Sequence, residues 1–116
     1  MATIKAYTDL SQSKTLSKIL PLESADMVYI CIDMGRKWIN VPRFIEGVPD
    51  HTDDYDIYAW SLAALLKVIP FWYDIHPVKN GIALKCDYGK EEIVISDNPV
   101  DACYEMIIKL NELNLL

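Results

Sequence analysis

An α+β fold is expected from three features of the sequence. The periodic segments of residues 59–116 run helix, three-strand meander, helix. Asn80-Gly81 is a strong hairpin signal between two strand-like runs, because both residue types tolerate positive φ. Asn98-Pro99 opens a helix that continues to the last residues given. The architecture expected is an antiparallel sheet with helices packed on it, preceded by an N-terminal helix and hairpin.

The elements follow in order. Thr8 or Asp9 can cap a first helix through Leu20, with Leu10, Ser13, Leu16 and Leu20 along one side. Pro21 ends it, since the residue before a proline resists the helical region. Residues 27–33 are rich in strand formers, and Val28, Ile30 and Ile32 alternate to one face. Met34-Gly35-Arg36 can turn the chain into a second strand over residues 37–41. Residues 42–56 hold two prolines, one glycine and four aspartates and read as a loop.

The second helix is placed at residues 59–69, apolar almost all round and ended by Pro70. Leu62, Leu65, Leu66 and Ile69 would face the sheet, with Trp60 and Lys67 pointing away. Strands are expected at residues 71–76, 82–87 and 91–95, with Tyr88-Gly89-Lys90 as the second turn. In the last helix Asn98 caps, Pro99 takes the first helical position and Asp101 meets the positive end of the helix dipole. Cys103, Met106, Ile107, Leu110 and Leu113 form its apolar face, and Val100, Tyr104, Ile108 and Leu115 widen it. A helix on one sheet needs only about 100° of apolar surface, and this arc is roughly twice that. It should be covered on two sides, by the chain itself or by a partner.

Composition narrows the functions open to the chain. At 116 residues it is read as one domain, with residues 1–58 as N-terminal helix, hairpin and loop and residues 59–116 as the αβββα unit. It is 52% hydrophobic and 24% charged, which marks a globular rather than a disordered chain. A net charge of −6 disfavours non-specific binding to a phosphate backbone, so nucleic acid is an unlikely partner for the chain as a whole. No apolar run reaches the ~18 residues of a membrane span, and residues 1–9 lack a signal-peptide pattern. Cys31, Cys86 and Cys103 are odd in number and widely spaced, which fits a reduced cytoplasmic protein.

Several stretches carry a resemblance. Residues 6–14, 20–27, 59–66 and 97–103 resemble a group of short uncharacterised proteins from gut bacteria and their phages. That resemblance implies a phage or mobile-element setting and no activity. Residues 60–113 also look like two αβββα architectures, the small phage α-β-α sandwich and the double-stranded-RNA-binding domain. The second family opens its last helix with lysines that grip phosphate. Here that turn is Asn98-Pro99-Val100-Asp101, with no cation and one acid, so a shared fold would not carry the RNA function.

Candidate sites are few. Asp50, His51, Asp53, Asp54 and Asp56 gather oxygen ligands and an imidazole, but lack the central glycine and closing glutamate of a calcium loop. An acidic solvated loop is the better reading, with no metal assigned. Cys103 lies inside the apolar arc, where burial opposes a nucleophilic thiolate, and reads as a core residue. Neither histidine has a hydrolase or zinc motif around it, and the four glycines are isolated, so no phosphate loop, cofactor or catalytic residue is assigned. Arg36, Lys37, Trp38 and Arg43 form the one basic-aromatic cluster, the combination that holds single-stranded nucleic acid. Tyr104, Ile108, Leu115 and Trp60 are the candidate protein-contact residues, by themselves or in a homodimer. The favoured reading is a non-enzymatic interaction or accessory module. The alternative is a nucleic-acid-associated factor using residues 36–43.

Overall fold

The computed structural model describes residues 5–46 and 55–116. The described residues form an α+β structure with three α-helices and two three-stranded antiparallel sheets. Helix α1 spans Leu10–Ser17. Its cap is Asp9, whose carboxylate accepts from the Gln12 amide at 2.8 Å while the Gln12 side chain accepts from the Asp9 amide at 3.1 Å. This reciprocal capping box satisfies two of the amides that a helix start leaves free. Ser13, Leu16 and Leu20 are buried, but the helix stops before Leu20. Lys18 and Ile19 bond three residues back, to Thr15 and Leu16, and tighten the last turn before Pro21.

Strand β1 (Met27–Tyr29) pairs with β2 (Arg43–Phe44) on one side and β3 (Ile57–Ala59) on the other. The face turned inward is the one opposite Val28, Ile30 and Ile32. Met27 and Tyr29 are buried, Val28 and Ile30 are half-buried, and Ile32 is exposed. Tyr29 sets the parity, because its hydroxyl donates to the Thr8 carbonyl at 2.8 Å inside the structure. Residues 37–41 do not form the expected strand. Met34 and Gly35 turn the chain at φ +38° and +88°, and a narrow ribbon returns through a single bridge, Cys31 to Trp38. Pro42 has no amide to donate, and ladder pairing resumes only at Arg43.

Thr8 ties this half together. Its amide donates to the Trp60 carbonyl at 3.0 Å, and its hydroxyl accepts from the Trp60 amide at 3.1 Å and meets the Ser13 hydroxyl at 2.8 Å. The residue is fully buried, and its polar atoms all have partners, as burial requires. Pairing with β1 makes residues 57–59 a strand, although Ala59 was expected to open the second helix. Helix α2 therefore starts late, at Leu62–Val68, with Ser61 as its cap.

Strands β4 (Trp72–Val78), β5 (Gly81–Asp87) and β6 (Glu91–Ser96) form the expected meander, in the order β4-β5-β6. The first hairpin loop is the pair Lys79 and Asn80, since Val78 already faces Gly81. Of the Asn-Gly pair only Gly81 takes positive φ, at +153°. A β-carbon there would lie 2.2 Å from the Ser96 carbonyl oxygen, so the close approach of β5 to β6 demands glycine.

Helix α3 spans Pro99–Glu112, with Asn98 accepting from the Asp101 amide at 2.9 Å. It lies against the inner face of the meander and packs on α2. Tyr73, Ile75, Leu84, Cys86 and Val94 meet Val100, Cys103, Met106, Ile107 and Leu110 there, and Leu16 and Leu20 join the same core. Leu113 does not, being just past the helix end and 46% exposed. The start of α3 also holds the N-terminal segment. Asp101 Oδ1 accepts from Lys5 Nζ and Gln12 Nε2, and its Oδ2 accepts from Asn98 Nδ2, each at 2.8 Å.

Candidate interaction surface

The helices cover one face of the β4–β6 sheet and leave the other open. Strand alternation places Trp72, Asp74 and His76 of β4 on the open face. The register then sets Asp87, Lys85 and Ala83 of β5 beside them, and Glu91, Ile93 and Ile95 of β6 beyond. Trp72 is 64% exposed, Ile93 54% and Ile95 61%. An antiparallel sheet with one wet face ordinarily shows polar side chains there. Large apolar side chains gathered on such a face mark a contact surface.

The charges of this face are partly matched within it. Lys85 lies 3.5 Å from Glu91, with its ammonium 5.8 Å from the centre of the Trp72 ring. Asp74 meets the His76 ring at 2.8 Å. Asp87 and the two other carboxylates leave the face with three acids against one lysine. Sequence reading passed over this surface, although it left a trace. Ile93-Val94-Ile95 is apolar without alternation, so a one-sided strand must show an apolar side chain to solvent.

The contact residues expected from sequence sit elsewhere. Tyr104, Ile108 and Leu115 are half-buried and pack against the main core. With Glu105, Lys109 and Glu112, the first two line a shallow groove of about 230 Å³. The wide apolar arc of α3 is thus largely covered by α2, the sheet and Leu16 and Leu20. Trp60 is a correction: it is not outward-facing but 1% exposed, and its indole N–H donates to Ser24 Oγ at 2.9 Å. Because α2 begins after Ser61, Trp60 precedes the helix and does not follow its wheel.

The basic-aromatic cluster stands on the ribbon of residues 30–44. Arg36, Lys37 and Arg43 are exposed, and among the described residues none has a carboxylate within ion-pair distance. Trp38 is half-buried, its indole N–H donating to the Tyr55 carbonyl at 2.6 Å and one ring face held by Lys14 Nζ at 4.8 Å. A base stacking there would meet a ring already engaged. Ile32, Met34, Ile39, Val41 and Phe44 of the same ribbon are all exposed.

Asp50, His51, Asp53 and Asp54 lie outside the described residues. Asp56 is described, and its carboxylate accepts from the Cys31 amide at 2.9 Å. Among the described residues no group of three or more His, Cys, Asp or Glu side chains is placed to hold a metal ion. Cys103 is fully buried, and burial pushes its thiol up to about 12. Burial also raises the Cys86 thiol, with the charge of Asp87 adding to it. Neither is a thiolate at neutral pH, and nucleophilic chemistry needs one.

A cleft of about 720 Å³ runs between Leu20, Ala25, Ala64 and Val68. The Asp26 carboxylate on its wall accepts from the Ser61 hydroxyl and from the Ser61 amide, so it is engaged in holding the residue that caps α2. No helix among the described residues is long and apolar enough to cross a membrane. No protein-family model, curated protein or solved structure matches this chain.

Proposed function

We propose that the chain is a small non-enzymatic interaction module that binds a protein partner through the open face of the β4–β6 sheet. The observation that supports this is the exposure of Trp72, Ile93 and Ile95 on one face, around a lysine and three carboxylates. Aromatic and branched anchors within a polar rim are the usual makeup of a protein contact. The reading moves the contact from Tyr104, Ile108, Leu115 and Trp60 to the sheet. The phage or mobile-element setting is part of the same proposal and rests on the sequence resemblance.

Site-specific photocrosslinking in cells tests it. A photoreactive residue at position 95 should give a discrete adduct that Trp72→Lys abolishes and that the same probe at Lys90 does not give. Absence of any adduct from position 95 would refute the interaction reading.

A further inference from the structure

We infer that the occupant of the open sheet face is a second copy of this chain, docked by its ribbon of residues 30–44. The inference rests on the contact reading above and adds the identity of the partner. Two exposed apolar patches stand on different sheets of the same chain. The ribbon presents Ile32, Met34, Ile39 and Val41, and the sheet face presents Trp72, Ile93 and Ile95.

Their charges are opposite. The ribbon carries Arg36, Lys37 and Arg43 against Asp33, while the sheet face carries Asp74, Asp87 and Glu91 against Lys85. Neither patch is complementary to itself. A two-fold pairing of face with face would set acids against acids, and ribbon with ribbon would set cations against cations. Ribbon against face joins opposite charges and buries both apolar sets.

Such a contact is heterologous: two different surfaces of identical chains meet. It either closes as a reciprocal exchange, each ribbon on the other copy's sheet, or continues from copy to copy. The sheet face spans roughly 20 by 15 Å from strand rise and spacing. One ribbon–face contact is therefore smaller than the ~1,200 Å² of total area that a tight complex buries. Association should depend on concentration and weaken with salt.

The experiment is light scattering with size exclusion on the full chain, from low to high micromolar concentration. Two variants at exposed positions are used, Val41→Asp on the ribbon and Ile95→Lys on the face, with circular dichroism confirming their fold. The wild type should associate with concentration, and each variant should stay monomeric. An equimolar mixture of the two should pair again, because each retains the half that the other lost. Should either variant fail to fold, Arg43→Glu and Glu91→Lys serve in its place.

A wild type that is monomeric throughout would overturn the inference. So would association that persists in both variants, or a mixture that stays monomeric. In the crosslinking experiment an adduct of a different protein's mass would support the contact reading and overturn the second copy as its partner. An adduct of two chain masses supports both.

Discussion

Replacing Asp101 by alanine should destabilise the fold far more than the loss of a surface carboxylate ordinarily does. Asp101 accepts three side-chain hydrogen bonds, from Lys5, Gln12 and Asn98. A hydrogen bond involving a charged group contributes about 1.5–3 kcal/mol and a neutral one about 0.5–1.5 kcal/mol. The carboxylate also lies in the first turn of α3, where the helix dipole adds roughly 0.3–1 kcal/mol. The side chains of Lys5 and Asp101 are 25% and 29% exposed, so water screens part of this. A net loss of about 2–3 kcal/mol is expected, less than the simple sum. For a chain of this size that lowers the melting temperature by roughly 8–12 °C.

The pH dependence gives a second readout. Burial works to raise the Asp101 carboxyl, but the hydrogen bonds from Lys5, Gln12 and Asn98 outweigh it and hold it below its ordinary value. A carboxyl depressed by folding stabilises the fold above its unfolded value of about 3.9. That contribution is lost as pH falls through the lower folded value. Urea denaturation at neutral pH should separate the wild type from Asp101→Ala, and the gap should narrow below about pH 4. A difference under roughly 0.5 kcal/mol at neutral pH, the range of an ordinary surface change, would refute the reasoning.

Gly81→Ala should cost about 2 kcal/mol or more, because positive φ and the clash with the Ser96 carbonyl act together. Gly89→Ala, at φ +97° with open space around it, should cost only about 1 kcal/mol, and denaturant midpoints compare the two. Thr8→Val keeps the shape but leaves the buried Trp60 amide without its acceptor, and thermal melting should show a loss of about 1–3 kcal/mol. In thiol labelling of the native protein, half-buried Cys31 should react first, while Cys86 and Cys103 react only on unfolding. Prompt labelling of Cys103 would contradict its place in the core.

The back half of the fold was legible because its signals are local. Asn98 and Pro99 specify a helix start through atoms a few residues apart, and Asn80-Gly81 places a hairpin within two residues of where it forms. The front half depends on distant contacts. Residues 57–59 form a strand because β1 lies beside them, and Trp60 is buried because Thr8 and Ser24 reach it from far along the chain. A helical wheel drawn over residues 59–69 cannot register such contacts, and it turned a core tryptophan outward. The candidate site shows the same division. The ribbon cations could be named from sequence, but the apolar sheet face could not, since only the helices' choice of side exposes Ile93 and Ile95.

The Lys5–Asp101 bond joins positions 96 apart. The meander between them is made of neighbours in sequence and can form early, because closing a short loop sacrifices little chain freedom. The docking of the first helix onto the start of the last one must wait for residues 98–101. On the ribosome the front half therefore lacks this tie until residues 98–101 have emerged, and in refolding it should be among the last links to gain protection from hydrogen exchange.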